Sequence, residues 1–154
     1  MNNGIKSIQI DFYYISSNFS EILIKLGDKL IGRNYKTLVL VDKLKELNDI
    51  DRLLWVKEKN SFLPHKLINE KIYEKDKIIL SQKSEIPDYL KKKFDTLIIS
   101  PEKSIRSFKL FKRFLVFCYK GSYQNFNFYK TKLESLGFTV NGFEEFNTFK
   151  WKSL

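Results

Sequence analysis

The chain's 154 residues, 43% hydrophobic and 30% charged, suffice for one buried core without disulfides or metal staples, so a single domain spanning 1–154 is expected. No apolar run approaches the roughly 20 residues of a membrane span, and MNNGIKSIQIDFYYI lacks the features of a secretory signal, so a cytoplasmic protein without membrane contact is expected. A net charge of +10 invites an acidic partner, but the chain has no alanine, few arginines and abundant Lys, Asn, Ile and Phe, the composition AT-rich coding produces, so charge alone singles out no partner.

SIQIDFYYI (7–15) reads as a first strand. Asn18, with Glu21 three residues on, is an N-cap pattern for a helix whose Phe19, Leu23, Leu26 and Leu30 share one face and which ends near Gly32. KTLVLVD (36–42) is an uninterrupted apolar run, the mark of a strand covered on both faces, and belongs in the middle of the sheet. Asp42 then caps a second helix through Leu44, Leu47 and Leu54 to about Trp55. SFLPHKL (61–67) reads as a loop, KIILS (77–81) and DTLIIS (95–100) as short strands, and IPDYLKKKF between them as a short helix with Pro87 in its first turn. The Lys91, Lys92, Lys93 run is then a solvated helix end. RFLVFCY (113–119) is another strand, which makes Cys118, the lone cysteine, a buried strand residue and excludes an internal disulfide or a CxxC motif. SYQNFNFYKTKLESLG is a last helix closed by Gly137. Strands alternating with helices predict an α/β fold: a single three-layer α/β/α domain with a mostly parallel or mixed sheet.

The turn after the first strand, ISSNFSE, has no glycine, so the fold is Rossmann-like without a nucleotide-binding glycine loop, and no GxxxxGK[ST] is present. His65 has no local serine, cysteine or second histidine and reads as a hydrogen-bonded structural residue. No cofactor, metal site or catalytic residue is therefore expected. One competing reading keeps a basic nucleic-acid-binding or nuclease-like protein, with Asp11, Asp42 and Asp95 near strand ends as its carboxylates.

LLWVKEKNSFLPHKL resembles a stretch of the chi subunit of bacterial DNA polymerase III, in which a tryptophan ending a helix precedes a polar loop and a Ser-Phe-x-Pro-His segment. YKTKLESLGFTV resembles the family's end, a long helix with a glycine near its close and a short hydrophobic tail. The resemblance implies a non-catalytic adaptor of the clamp-loader assembly. Its implied partners are the acidic C-terminal tail of the single-stranded-DNA-binding protein and a psi subunit or another clamp-loader subunit, with DNA met mainly indirectly. For the tail it implies an apolar wall from Trp55 and Phe62, with Pro64 and His65 shaping the loop. Cations would come from the last helix: with Phe126 at the centre of its buried face, Tyr129, Leu133 and Leu136 lie on that side, Lys130 sits at its edge and Lys132 falls on the far side near an exposed Phe128. The chain departs from the family's arginine-type positions there, which Asn127 and Glu134 occupy, and Lys120 is a further candidate cation.

Overall fold

The computed structural model describes residues 8–33, 35–55, 65–82, 93–101, 111–121 and 126–154. In chain order they form β1 (Gln9–Ile15), α1 (Phe19–Gly32), β2 (Thr37–Leu40), α2 (Leu44–Trp55), β3 (Lys66–Leu67), β4 (Ile78–Ser81), β5 (Thr96–Ile99), β6 (Arg113–Tyr119), α3 (Phe126–Ser135), β7 (Thr139–Asn147) and β8 (Lys150–Ser153). The strands make one eight-stranded sheet in the order β3-β4-β2-β5-β6-β1-β7-β8. Neighbours run parallel throughout, except that β7 and β8 form an antiparallel hairpin. The expected α/β fold with a mixed sheet is therefore the observed one.

Alternation along the strands divides the interior into two cores. Ile15, Val39, Val41, Leu80, Leu115 and Phe117 point to the face covered by α1 and α2, through Phe19, Leu23, Leu47, Ile50 and Leu54. Phe12, Tyr14, Leu38, Leu40 and Phe114 point to the other face, which α3 covers with Phe126 and Leu133. Three layers result. Every residue of β2 is buried and the strand pairs with β4 on one side and β5 on the other, as an apolar run with no polar alternation requires.

Local chemistry starts and stops the helices. Asn18 Oδ1 accepts the Ser20 amide at 3.0 Å, satisfying one of the free donors at the start of α1. At α2 the expectation needs correcting: Asp42 lies before the cap, the Lys43 carbonyl accepts the first helical bond from the Leu47 amide, and Glu46 reaches back to accept the Asp42 amide at 3.3 Å. α3 closes on Gly137 at φ 96, where the Gly137 amide bonds the Glu134 carbonyl and the Phe138 amide bonds that of Leu133.

Other expectations also change. Within the SFLPHKL loop, Lys66 and Leu67 pair with β4 as a short edge strand, while 61–64 lie outside the described residues. The helix expected at IPDYLKKKF and the beginning of the last helix at 122–125 also fall outside, apart from Lys93 and Phe94 at the end of the former. Cys118 is half-buried rather than buried. The largest difference is the C-terminal segment, expected as a short tail and found as β7 and β8. TVNGFEEFN conceals its strand because glycine, asparagine and two glutamates fill positions that pattern reading reserves for apolar residues. Each has a tertiary reason: a Cβ on Gly142 would come within 2.4 Å of the Phe126 ring, and Glu145 is bonded inside the fold.

Candidate functional site

α3 carries four of the chain's chemically distinctive surface groups. Phe126 and Leu133 anchor it to the sheet, so Phe128 emerges opposite them, 65% exposed, with Lys132 one turn further along the same row. Tyr129 was expected on the buried side; its ring does stack on Phe12 at 6.1 Å, yet the residue remains 44% exposed. Leu136, also expected inward, is 68% exposed because the helix ends at Ser135 and the glycine closure turns Phe138, not Leu136, toward the core. Phe128, Tyr129, Lys132 and Leu136 thus form an apolar strip with a cation in it. Lys130 leaves the helix on the other flank, where its ammonium lies 3.7 Å from the Glu134 carboxylate. Lys120, the alternative cation, is held by the Glu145 carbonyl at 2.7 Å and the Glu144 carboxylate at 3.3 Å.

The second expected element lies elsewhere. Trp55 is the last residue of α2, which packs over β4 on the face opposite α3. α3 packs over β7, five strand spacings from β4, so the two helices are separated by about 20 Å or more as well as by the sheet. Phe62 and Pro64 lie outside the described residues. His65 has the structural role expected of it: its side chain is buried and Nε2 lies 2.6 Å from Asp51 Oδ1, tying the end of the segment that follows Trp55 back onto α2. The described elements therefore bring Phe128 and Lys132 together but do not bring Trp55 to them.

The strand ends, where α/β proteins usually bind ligands, are arranged against a nucleotide. In a phosphate-binding turn the amides after β1 would point at the anion; here Ser16 and Ser17 both donate theirs to Glu145 Oε1 at 2.8 Å. The Ser17 hydroxyl adds a bond to Oε2 at 2.6 Å, and the Phe149 amide another at 2.8 Å. Burial alone would raise this carboxyl's pKa, but the hydroxyl and three amide donors outweigh it and pull the value down to about 2. An internal carboxylate fills the anion cradle. A crevice of about 560 Å³ nearby, between α1 and α2, mixes Lys43, Lys45 and Arg52 with Glu46 and Asp49 and has no single charge preference.

The three carboxylates of the nuclease-like reading do not converge. Asp42 follows β2 at its C-terminal end and Asp95 precedes the neighbouring parallel β5, a separation of about 20 Å along the strands. Asp11 is at mid-strand, three strands from β2, with 1% exposure, and its carboxylate is engaged by Arg113 at 3.1 Å, Gln9 at 2.9 Å and Asn141 at 3.0 Å. Among the described residues no three His, Cys, Asp or Glu side chains gather as a metal ion would need. Burial pushes the Cys118 thiol up to about 11, so it stays protonated and unreactive at neutral pH.

A family model described as DNA polymerase III chi subunit, HolC, matches residues 8–125. The chain belongs to the DNA polymerase III chi subunit family. A chi-family chain is an accessory subunit of polymerase III, and its place is in DNA replication. No curated protein matches this chi-family chain. The matched region runs from β1 past β6 and includes the Trp55–His65 segment, but it ends before α3, β7 and β8. No helix among the described residues is long and apolar enough to cross a membrane. Sequence reading missed Glu145, Phe149 and Trp151 altogether. The only signal was the aromatic density of FEEFNTFKW, which looked like tail and not like site.

Proposed function

We propose that this chi-family subunit is a non-catalytic, cytoplasmic adaptor, a single domain over 1–154. It holds the acidic C-terminal tail of the single-stranded-DNA-binding protein and joins it to the clamp loader through psi or another clamp-loader subunit, meeting DNA mainly through that partner. The observation that carries the reading is the solvent-facing strip of α3 in a chain of this family: an exposed Phe128 ring with Tyr129 and Leu136 beside it and Lys132 within the same row. A tail ending in aspartates and an aromatic residue needs an apolar contact for its ring and cations for its carboxylates, and this strip offers both. Lys130 serves the same anion from the other flank after exchanging Glu134 for it.

Trp55 and Phe62 remain part of the proposal in a changed role. Because α2 and α3 cover opposite faces, the segment carrying these two residues is assigned to the clamp-loader partner, and the tail is assigned to α3. Calorimetry with tail peptides tests the division. Removing the peptide's terminal aromatic residue, or Phe128→Ala, should weaken binding by about 2 kcal/mol or more, whereas Lys132→Ala should cost roughly 0.2–1 kcal/mol. Trp55→Ala should leave tail affinity unchanged. Loss of tail binding in Trp55→Ala together with normal binding in Phe128→Ala would move the tail to the α2 face.

A further inference from the structure

A cavity of about 550 Å³ opens between α1 and the β7–β8 hairpin, on the face opposite α3. Tyr13 lies in it, stacked between Phe117 at 5.0 Å and Phe143 at 5.1 Å, and Trp151 meets Tyr13 edge-on at 5.2 Å. Apart from the Tyr13 hydroxyl and the Trp151 indole N–H, the polar groups of its lining are two lysines of α1, Lys25 and Lys29, one turn apart. Lys25 Nζ stands 4.3 Å from the centroid of the Phe149 ring, which forms another side of the cavity.

Phe149 reaches that position at a conformational cost. Its φ of 59 is in the left-handed region, where a bulky side chain is disfavoured relative to glycine. The turn keeps the aromatic ring at the cavity although glycine or asparagine would suit its backbone better. The volume accommodates one bulky side chain with the backbone around it. The lining discriminates among anions with rings: a nucleobase would lose water from several edge atoms that these rings cannot replace, whereas a hydrocarbon ring would not.

We propose that this cavity is a second protein-docking site, taking one aromatic side chain from an acidic segment of a partner while the segment's carboxylates meet Lys25 and Lys29. It is spatially separate from the α3 strip and does not rest on the tail reading. NMR titration of the full chain with the peptide Asp-Asp-Trp-Asp-Asp, blocked at both ends so that it has no terminal carboxylate, tests it. Shifts are expected at the Trp151 indole and at Lys25 and Phe149, larger than any at Phe128 or Lys132. Replacing the peptide's tryptophan by alanine, or its aspartates by lysines, should weaken binding at least fivefold. The Lys25→Glu, Lys29→Glu double variant should do the same, and so should Phe149→Gly, which accepts the turn's backbone without strain. Shifts confined to α3, no shifts at millimolar peptide, or equal affinity for the double variant or for the lysine peptide would overturn the proposal.

Discussion

Glu145 brings a negative charge into a site with 0% exposure and is surrounded there by donors from two turns that are far apart in sequence. Its pKa falls from an ordinary 4.5 to about 2, so its contribution is fully present above about pH 4.5 and is lost as pH drops toward 2. The shift corresponds to about 3 kcal/mol. Glu145→Gln should lower stability at pH 7 by an amount of this order, because an amide nitrogen faces amide donors. Urea unfolding between pH 6 and 2.5 should show the wild type losing its advantage over the variant as the carboxylate protonates. Thr37 makes the opposite case: its hydroxyl is buried and has no hydrogen-bond partner among the described residues. Thr37→Val keeps the shape and removes the unsatisfied group, so a gain of about 0.5–2 kcal/mol is expected in the same urea experiment.

The elements on the α3 side depend on one close approach. Phe126 places its ring directly over Gly142 of β7, and the ring also packs edge-on against Phe12 at 6.0 Å and Tyr14 at 6.1 Å. Gly142→Ala should therefore destabilise by about 1–3 kcal/mol through overpacking, although alanine is the better strand residue. Combining it with Phe126→Leu should cost less than the sum of the two single changes, since the smaller side chain vacates the space the new methyl needs. Helical phase placed Phe126 and Leu133 inward and Phe128 outward correctly, because these depend on the helix's own period. It misplaced Leu136, because that residue lies past the last helical residue, Ser135, in the turn that Gly137 closes.

For the whole molecule, the arrangement of the sheet decides which residues can act together. With α2 on one face and α3 on the other, partners at these two surfaces need not exclude one another. Tail peptide and a partner bound to the Trp55 segment should therefore bind with additive free energies, and calorimetry of each in the presence of the other should give affinities unchanged within about twofold. Strong competition would show that the two share a surface. Salt should erode only part of the tail affinity, since the aromatic contact is insensitive to screening over about 8–10 Å.

Local chemistry was readable from sequence: the Asn18 cap, the Gly32 and Gly137 helix ends, the buried run at β2, the missing phosphate loop and the family-like Trp55–His65 segment each depend on a few adjacent residues. Order within the sheet was not, because β1 pairs with β6 and β7, whose partners lie more than 100 positions away. That pairing turns FEEFNTFKW from a tail into a hairpin, puts Glu145 in the cradle at the end of β1 and Trp151 against Tyr13, and separates Trp55 from Lys132. These residues have no local pattern to betray them. Each is explained by a contact partner from a distant segment, and only the folded sheet supplies one.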